Sequence, residues 1–288
     1  MKGEYKAIIS MLIWGSVGIF ARYSELDGLS LAFYRVLFSS VFFLAFYLIK
    51  DRERLLYSFN EAIDKIKHIS LIGIALGFNW VFFFYAVMLT QIAKALLVYY
   101  LAPLFVIIFS TIYLKERPRA RTIFLAVMAF LGFLTIICED IGDFNQNDML
   151  GVFFAFLASL LYATVTILGR YLRSFQPLSL TFFQLAFATL SLSPFMILYG
   201  QFVISLQSIA VVMVIALVHT ILALLIYMDA LREVEASRVA LLSYLDPLSA
   251  IVYALVIFGE IPSFHTMIGG FLILASSICN MYYKSRKV

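Results

Sequence analysis

An aspartate followed by a proline, Asp246 and Pro247, stands inside the apolar stretch SYLDPLSAIVYALVIFGE of residues 243–260. An acid near the centre of a bilayer costs about 2.5 to 3.5 kcal/mol on insertion scales, so something must compensate it. A cationic substrate or ion, protonation in place, or a basic neighbour such as Arg35 or His219 would each do so. The structural alternative is that Asp246 only caps backbone groups freed by Pro247. Because ionisable groups inside a membrane are usually functional, Asp246 is predicted to contact substrate and to be the candidate proton-coupling residue.

The same stretch occurs earlier in the chain without the acid. YLAPLFVIIFSTIYLKERP, residues 100–118, aligns without a gap with YLDPLSAIVYALVIFGEIP, residues 244–262. Pro103 and Pro247 take equivalent places, and each is expected to remove a helical hydrogen bond and kink its helix. Discontinuities at equivalent positions of two halves indicate a carrier's binding site. Structural bending alone is the competing interpretation.

Two helix faces extend this candidate site. Ser243 shares one face with Asp246 and Pro247, and Tyr99 shares a face of the earlier helix with Pro103. We assign both faces to a central cavity.

Further polar and aromatic residues fall at matching depths in the two halves. Asn79 and His219 both lie mid-span, where each is either a ligand contact or a side chain satisfied by a neighbouring helix. Trp14 and Tyr162 correspond in the repeat and lie away from the interfacial belts, so they either stack on a ligand or pack the core. The predicted cavity residues are Trp14, Asn79, Tyr99, Tyr162, His219, Ser243 and Asp246, with helix kinks at Pro103 and Pro247.

Arg35 is a basic residue inside a predicted span, near its outer end. Its long stem is expected to carry the guanidinium toward the outer surface as part of the scaffold. Contact with substrate is the alternative.

Composition identifies the elements that must position these residues. Of 288 residues, 64% are hydrophobic and 13% charged, against about 45–50% and about 25% in soluble domains. About 20 apolar residues in a helix cross a hydrocarbon core about 30 Å thick. The sequence predicts ten spans, at residues 6–23, 29–49, 69–89, 95–114, 122–138, 150–169, 178–199, 208–230, 237–258 and 266–283. They are too long and too uniformly apolar for porin strands, so the predicted fold is an all-α integral membrane protein.

The basic residues predict the orientation. Of the 21 Lys and Arg residues, all but Arg22, Arg35 and Lys94 fall in segments on one side of the predicted bundle. The positive-inside rule then places both termini in the cytoplasm of a multi-pass protein of the plasma membrane. The net charge of +4 therefore reflects topology and not nucleic-acid binding.

Internal repetition predicts the architecture. WGSVGIFARY at residues 14–23 matches YATVTILGRY at residues 162–171, and LSLAFYR at residues 29–35 matches LSLTFFQ at residues 178–184. Two five-helix repeats follow, residues 1–143 and 144–288. Because five is odd, the second repeat is inverted in the membrane, an arrangement typical of secondary transporters. The loop of residues 51–68 is predicted to form an interfacial helix.

The chain resembles the drug/metabolite transporter superfamily, EamA type. The resemblance rests on WG in the first span, LSLAFYRVLF in the second, and ALREVEASRVALLSYLDPLSAIVYALVIFGEIPSFHTMIGGFLIL near the end, and it covers essentially the whole chain. It implies a 5+5 inverted-repeat carrier of small metabolites, often an exporter of amino acids or related solutes. It does not name the substrate, because function belongs to the site and not to the fold.

The predicted function is secondary transport of a small metabolite by alternating access, with an amino acid or a related amine or zwitterion as the favoured substrate. Proton coupling and export are both compatible with the sequence. The alternative is a passive facilitator or exchanger of another small solute, such as a sugar, a nucleobase or a drug.

An intramembrane enzyme is the remote alternative. The sequence has no HExxH, DDxxD, GxSxG or P-loop motif, so no catalytic residue, cofactor or metal is expected. The expected partners are the small-molecule substrate, protons if transport is coupled, and the lipid bilayer, without nucleic acid. Each chain contains both repeats, so a monomer is expected to suffice, and a dimer is also compatible.

Overall fold

The computed structural model describes residues 2–50, 52–90, 92–137, 146–202, 205–259 and 261–282, and the regular structure in these ranges is helical. The helices are α1 (Gly3–Gly15), α2 (Val17–Arg22), α3 (Gly28–Lys50), α4 (Arg52–Asp64), α5 (Ile66–Leu89), α6 (Ile92–Tyr99), α7 (Ala102–Tyr113), α8 (Ala120–Ile137), α9 (Gln146–Tyr171), α10 (Pro177–Tyr199), α11 (Leu206–Val214), a π-helix (Ile215–Leu222), α12 (Ala223–Glu233), α13 (Ala236–Leu242), α14 (Leu245–Phe258) and α15 (Phe264–Tyr282).

These helices form the predicted spans. Within the described residues, nine stretches are long and apolar enough to cross a membrane: Gly3–Ala21, Gly28–Lys50, Ile66–Leu89, Lys94–Tyr113, Asp148–Tyr171, Pro177–Tyr199, Leu206–Glu233, Ala236–Ile257 and Phe264–Tyr282. A shorter apolar helix, Ala120–Ile136, takes the place of the predicted fifth span. The all-α membrane fold is therefore confirmed, with span ends within a few residues of the predicted ones. The predicted boundary between the repeats, at residues 143 and 144, lies outside the described residues.

Helix packing follows the inverted repeat. Contacts between helices occur in pairs that the repeat relates. The contact of α5 with α9 is equivalent to that of α12 with α1, and the contact of α10 with α5 is equivalent to that of α3 with the π-helix. Helix α7 contacts α9 as α14 contacts α1, while α8 pairs with α15 and α7 pairs with α13. Each of these contacts joins an element of one half to an element of the other. The core is thus shared between the halves, and a cavity at its centre draws its walls from both.

Four spans depart from a regular α-helix near their middle. The first is interrupted at Ser16, the fourth between α6 and α7, and the ninth between α13 and α14, whereas the eighth widens into the π-helix Ile215–Leu222. Pro103 lies in the first turn of α7 and Pro247 in the first turn of α14, so proline accounts for the breaks in the fourth and ninth spans. At Ser16, the hydroxyl donates to the carbonyl oxygen of Ile13 at 2.8 Å and competes with the helical ladder. Backbone irregularity at membrane depth is tolerated where it lines a cavity or is buried in protein.

Helix α4 corresponds to the predicted interfacial helix. Ser58 and Ala62 are buried, and the Ser58 hydroxyl lies 2.7 Å from the Ser179 hydroxyl. Tyr57 and Ile63 are mostly exposed. One face of α4 therefore packs on the bundle, and the other carries apolar side chains away from it.

Candidate functional site

A cavity of about 530 Å³ lies between the two halves. Its wall comes from the first five spans, the sixth, the π-helix, α12 and α14. The lining residues reach Ala21, Ile136 and Ala254, which lie near the span ends on the side opposite the one where Gly3 begins the first span. We call the side of Gly3 the termini side, because ten spans also bring Tyr282 to it. Six residues predicted for the site line this cavity: Trp14, Asn79, Tyr99, Tyr162, Asp246 and Pro247.

Asp246 lies where the ninth span is broken. It is in the first turn of α14, so the positive end of the helix dipole faces the carboxylate. The Tyr100 hydroxyl donates to Asp246 Oδ2 at 3.1 Å, and the Tyr244 hydroxyl donates to the carbonyl oxygen of Tyr100 at 3.1 Å. No Lys, Arg or His of the described chain lies within 4.0 Å of the carboxylate. The broken fourth and ninth spans thus meet directly at an acid that has no described cationic partner.

A cation lines the same cavity. Arg35 is only 4% exposed; Nε donates to Thr220 Oγ1 at 3.0 Å, and Nη2 donates to the carbonyl oxygen of His219 at 3.2 Å. Its Cζ lies 3.8 Å from the centre of a ring of Trp80. The guanidinium is therefore held against the π-helix and does not extend to the outer surface. The expectation that Arg35 snorkels is corrected, because the π-helix provides polar acceptors inside the bundle.

Aromatic rings form much of the remaining wall. Trp14 packs on Tyr227 with ring centres 5.1 Å apart, and Tyr99 packs on Tyr162 at 6.0 Å. The Trp14 indole Nε1 donates to the carbonyl oxygen of His219 at 2.8 Å. Such rings attract cations over their faces and stack on planar groups.

Three of the predicted residues lie outside the cavity wall. His219 is 1% exposed, with Nε2 2.9 Å from Ser16 Oγ and its ring 4.9 Å from that of Phe20. It makes an interhelical hydrogen bond, the alternative that the sequence left open. The Ser243 hydroxyl donates to the carbonyl oxygen of Ala240 at 2.6 Å, and Pro103 is buried in α7.

Sequence reasoning missed other residues of the wall. Tyr100 aligns with Tyr244 in the repeat, and this match was the available signal. Tyr227, whose hydroxyl lies 2.8 Å from that of Thr166, has no signal in the sequence. Phe133 packs on Tyr100 at 4.7 Å, but one phenylalanine among 29 is not distinguishable by type.

Ion pairs join the two halves on the termini side. Lys6 pairs with Asp229 at 2.5 Å and also with Glu233, Arg170 pairs with Glu116 at 2.8 Å, and Arg238 pairs with Glu4 at 3.3 Å. Glu116 also accepts from the backbone N–H of Ala236 at 3.1 Å, at the start of α13. Burial, and then the nearby Glu116 carboxylate, raise the pKa of Glu235 in this region. These ion pairs close the bundle on the termini side, whereas the cavity extends toward the opposite side.

We expect the double variant Glu4→Gln, Lys6→Met to loosen this closure. Ion pairs near the surface contribute about 0.2 to 1 kcal/mol each, and a combined loss of about 1 kcal/mol should raise the fraction open to the termini side about fivefold. The measurement is labelling of a cysteine at Met228 by an impermeant maleimide applied from the termini side, in a variant without native cysteines. Arg232→Gln is the control, because Arg232 pairs with Asp229 within the same half. Equal labelling of both variants would contradict a closing role for the pairs between halves.

The fold and the cavity define a multi-pass membrane transporter of small solutes. The chain belongs to the EamA-like transporter family, which matches residues 1–138 and 149–282. This confirms the resemblance found in the sequence.

Several named proteins are similar to the chain over nearly its whole length. The uncharacterized transporter YxxF of Bacillus subtilis is 28% identical over 98% of this chain and 90% of that protein. An uncharacterized transporter of Archaeoglobus fulgidus is 26% identical over 95% of this chain and 94% of its own length. The S-adenosylmethionine uptake transporter of Rickettsia conorii is 22% identical over 97% of this chain and 92% of its own length. A solved crystal structure shares the fold, with a TM-score of 0.81, 18% identity, and coverage of 97% of this chain and 98% of the other.

Proposed function

We propose that this protein is a secondary carrier that works by alternating access. Its substrate, which binds in the central cavity, is a small amine or zwitterion such as an amino acid or a related compound. The observation that carries the proposal is Asp246, an acid in the wall of an aromatic cavity with no cationic partner among the described residues. A positively charged nitrogen on the substrate is the group that this acid and these rings favour. Following the positive-inside rule, the termini side is the cytoplasmic side of the plasma membrane.

The name of one relative supports a substrate that carries a positive charge, but it does not identify the substrate of this protein. The Rickettsia conorii protein is named for uptake of S-adenosylmethionine, a compound with both an α-amino acid group and a positively charged sulfonium. The ammonium of the amino acid group and the sulfonium are both cations, which a carboxylate and aromatic faces attract. At 22% identity the substrate itself does not transfer, but the charge type agrees with the cavity.

The test is ligand-induced thermal stabilisation of the purified protein and of Asp246→Asn. The panel contains amino acids, amines, S-adenosylmethionine, sugars, nucleotides and organic anions. We expect amino compounds to stabilise the wild type, and Asp246→Asn to bind them about 10- to 100-fold more weakly, because a charge-assisted hydrogen bond is lost. Asp64→Asn is the matched control, since Asp64 is exposed on α4.

Two results would contradict the proposal. If the ligands stabilised the wild type and Asp246→Asn to the same degree, Asp246 would not be part of the binding site. Stabilisation by organic anions or sugars but by no amino compound would exclude the proposed substrate class and favour a carrier or facilitator of another solute.

Asp246 is also the proposed coupling residue. A buried acid that has no described cationic partner can exchange a proton for a cationic substrate as the cavity changes sides. Under this proposal, a pH gradient drives accumulation of substrate by the wild type in proteoliposomes. If substrate uptake does not depend on the pH gradient and counterflow is saturable, the protein is instead a passive exchanger.

A further inference from the structure

Arg35 is charged, buried and surrounded by neutral groups. Its hydrogen bonds go to the Thr220 hydroxyl and the His219 carbonyl oxygen, and the Trp80 ring lies against its guanidinium. No carboxylate of the described chain lies within 4.0 Å of it. Thr220 in turn donates its hydroxyl proton to the carbonyl oxygen of Ile215 at 3.0 Å, so its oxygen is oriented toward Arg35 as an acceptor. The guanidinium is thus positioned, but its charge is not neutralised by a described side chain.

Part of the guanidinium remains available to the cavity. Nη1 has no hydrogen-bond partner among the described residues, and Arg35 is part of the cavity wall. A buried cation with unused donors is costly unless an anion or water meets it. The planar fork of arginine is suited to a carboxylate, and stacking on Trp80 fixes the plane of that fork.

The cavity therefore has an acid and a base that do not neutralise each other. Asp246 and Arg35 both line it, and neither forms an ion pair with the other or with another described residue. A ligand with one positive and one negative group would satisfy both residues at once. The loaded cavity would then carry no net charge, which lowers the cost of enclosing it in the bilayer.

We propose that Arg35 is the carboxylate-binding residue of this site and that the substrate is a zwitterion, with its ammonium at Asp246. This inference rests on the proposed function and narrows it, because simple amines lack the group that Arg35 binds. Trp80 is a positioning residue: its ring packs against the guanidinium and orients it, and it does not bind the charged groups of the ligand. A single arginine with two donors already engaged suits one carboxylate better than a phosphate.

The experiment compares common amino acids with the amines formed by their decarboxylation, using thermal stabilisation of the full-length protein. In the wild type, we expect an amino acid that binds to do so about 10- to 100-fold more tightly than its amine, the loss expected for a charge-assisted hydrogen bond. In Arg35→Gln this ratio should fall to about one. In Asp246→Asn both compounds should bind weakly.

The ratio of the affinities for an amino acid and its amine shows whether Arg35 binds the carboxylate or has only a structural role. A purely structural residue would change stability without changing the preference for a carboxylate. Arg35→Lys retains the charge but not the fork, so an intermediate ratio is expected, and it serves if Arg35→Gln does not fold. Equal binding of acid and amine to the wild type would overturn this inference and leave the proposed function standing. A high ratio retained in the Arg35 variants would assign the carboxylate to another group. Failure of both compound classes to bind the wild type would overturn the proposed function itself.

Discussion

Replacing Lys94 by methionine is expected to lower the free energy of unfolding by about 3–5 kcal/mol, the range for removing one partner of a buried ion pair. Lys94 Nζ lies 2.7 Å from Asp148 Oδ2, and the side chains are 1% and 5% exposed. Thr90 also donates its hydroxyl to Asp148. The variant leaves the Asp148 carboxylate buried without its lysine. Because Lys94 begins the fourth span and Asp148 the sixth, the loss should loosen the contact between the halves at the end away from the termini. Denaturant unfolding in detergent micelles measures it.

The double variant Lys94→Met, Asp148→Leu provides the control. Removing both charges also removes the desolvation cost, so the double variant should regain much of the stability lost in Lys94→Met. Lys6→Met is the comparison on the surface, because its partners are 34% and 43% exposed and the expected loss is at most about 1 kcal/mol. A Lys94→Met protein that unfolds like Lys6→Met would show that burial does not determine the strength of this pair.

The helices could be predicted because their signal is local. A run of about 20 apolar residues has few stable conformations in a bilayer other than a helix. The breaks at Pro103 and Pro247 follow from the missing N–H and the ring, which act wherever the helix lies. The interruption at Ser16 had a weaker signal in the Gly15–Ser16 pair, because Gly/Ser pairs are common sites of helix kinks. The π-helix Ile215–Leu222 had none, because IALVHTIL resembles any apolar helix.

The candidate site was only partly predictable for a related reason. The repeat matched Trp14 with Tyr162, the position of Asp246 within its span placed it near the same depth, and the structure brings all three to one cavity. Which face His219 presents depends on the π-helix, so sequence periodicity could not show that its ring turns to Ser16. The anchoring of Arg35 depends on a residue 185 positions away. Depth can be estimated from a sequence, whereas the neighbour on the next helix requires the packed structure.

Substituting Gly15 by alanine is expected to reduce both stability and ligand binding. A Cβ at Gly15 would lie 1.9 Å from Ser249 Oγ, 2.7 Å from the carbonyl oxygen of Asp246 and 3.1 Å from the backbone nitrogen of Ala250. The hydroxyl can rotate away, but the backbone of α14 can yield only if α1 and α14 separate. Overpacking of this kind costs about 1–3 kcal/mol, and here it displaces the turn that carries Asp246. Thermal unfolding and binding of the amino acids in the test panel measure the two effects.

Gly18 provides a matched control on the same span. It also lines the cavity, yet a Cβ there meets nothing within 4 Å. Alanine at Gly18 should therefore leave stability unchanged or raise it by up to about 1 kcal/mol, because a helical glycine loses more chain entropy on folding than alanine does. The two substitutions add the same methyl group to the same cavity wall, but only Gly15→Ala is expected to lower stability. If Gly15→Ala matched Gly18→Ala in stability and binding, the close contact between α1 and α14 could not be what positions Asp246. Loss of binding confined to Gly15→Ala would tie that contact to the substrate site.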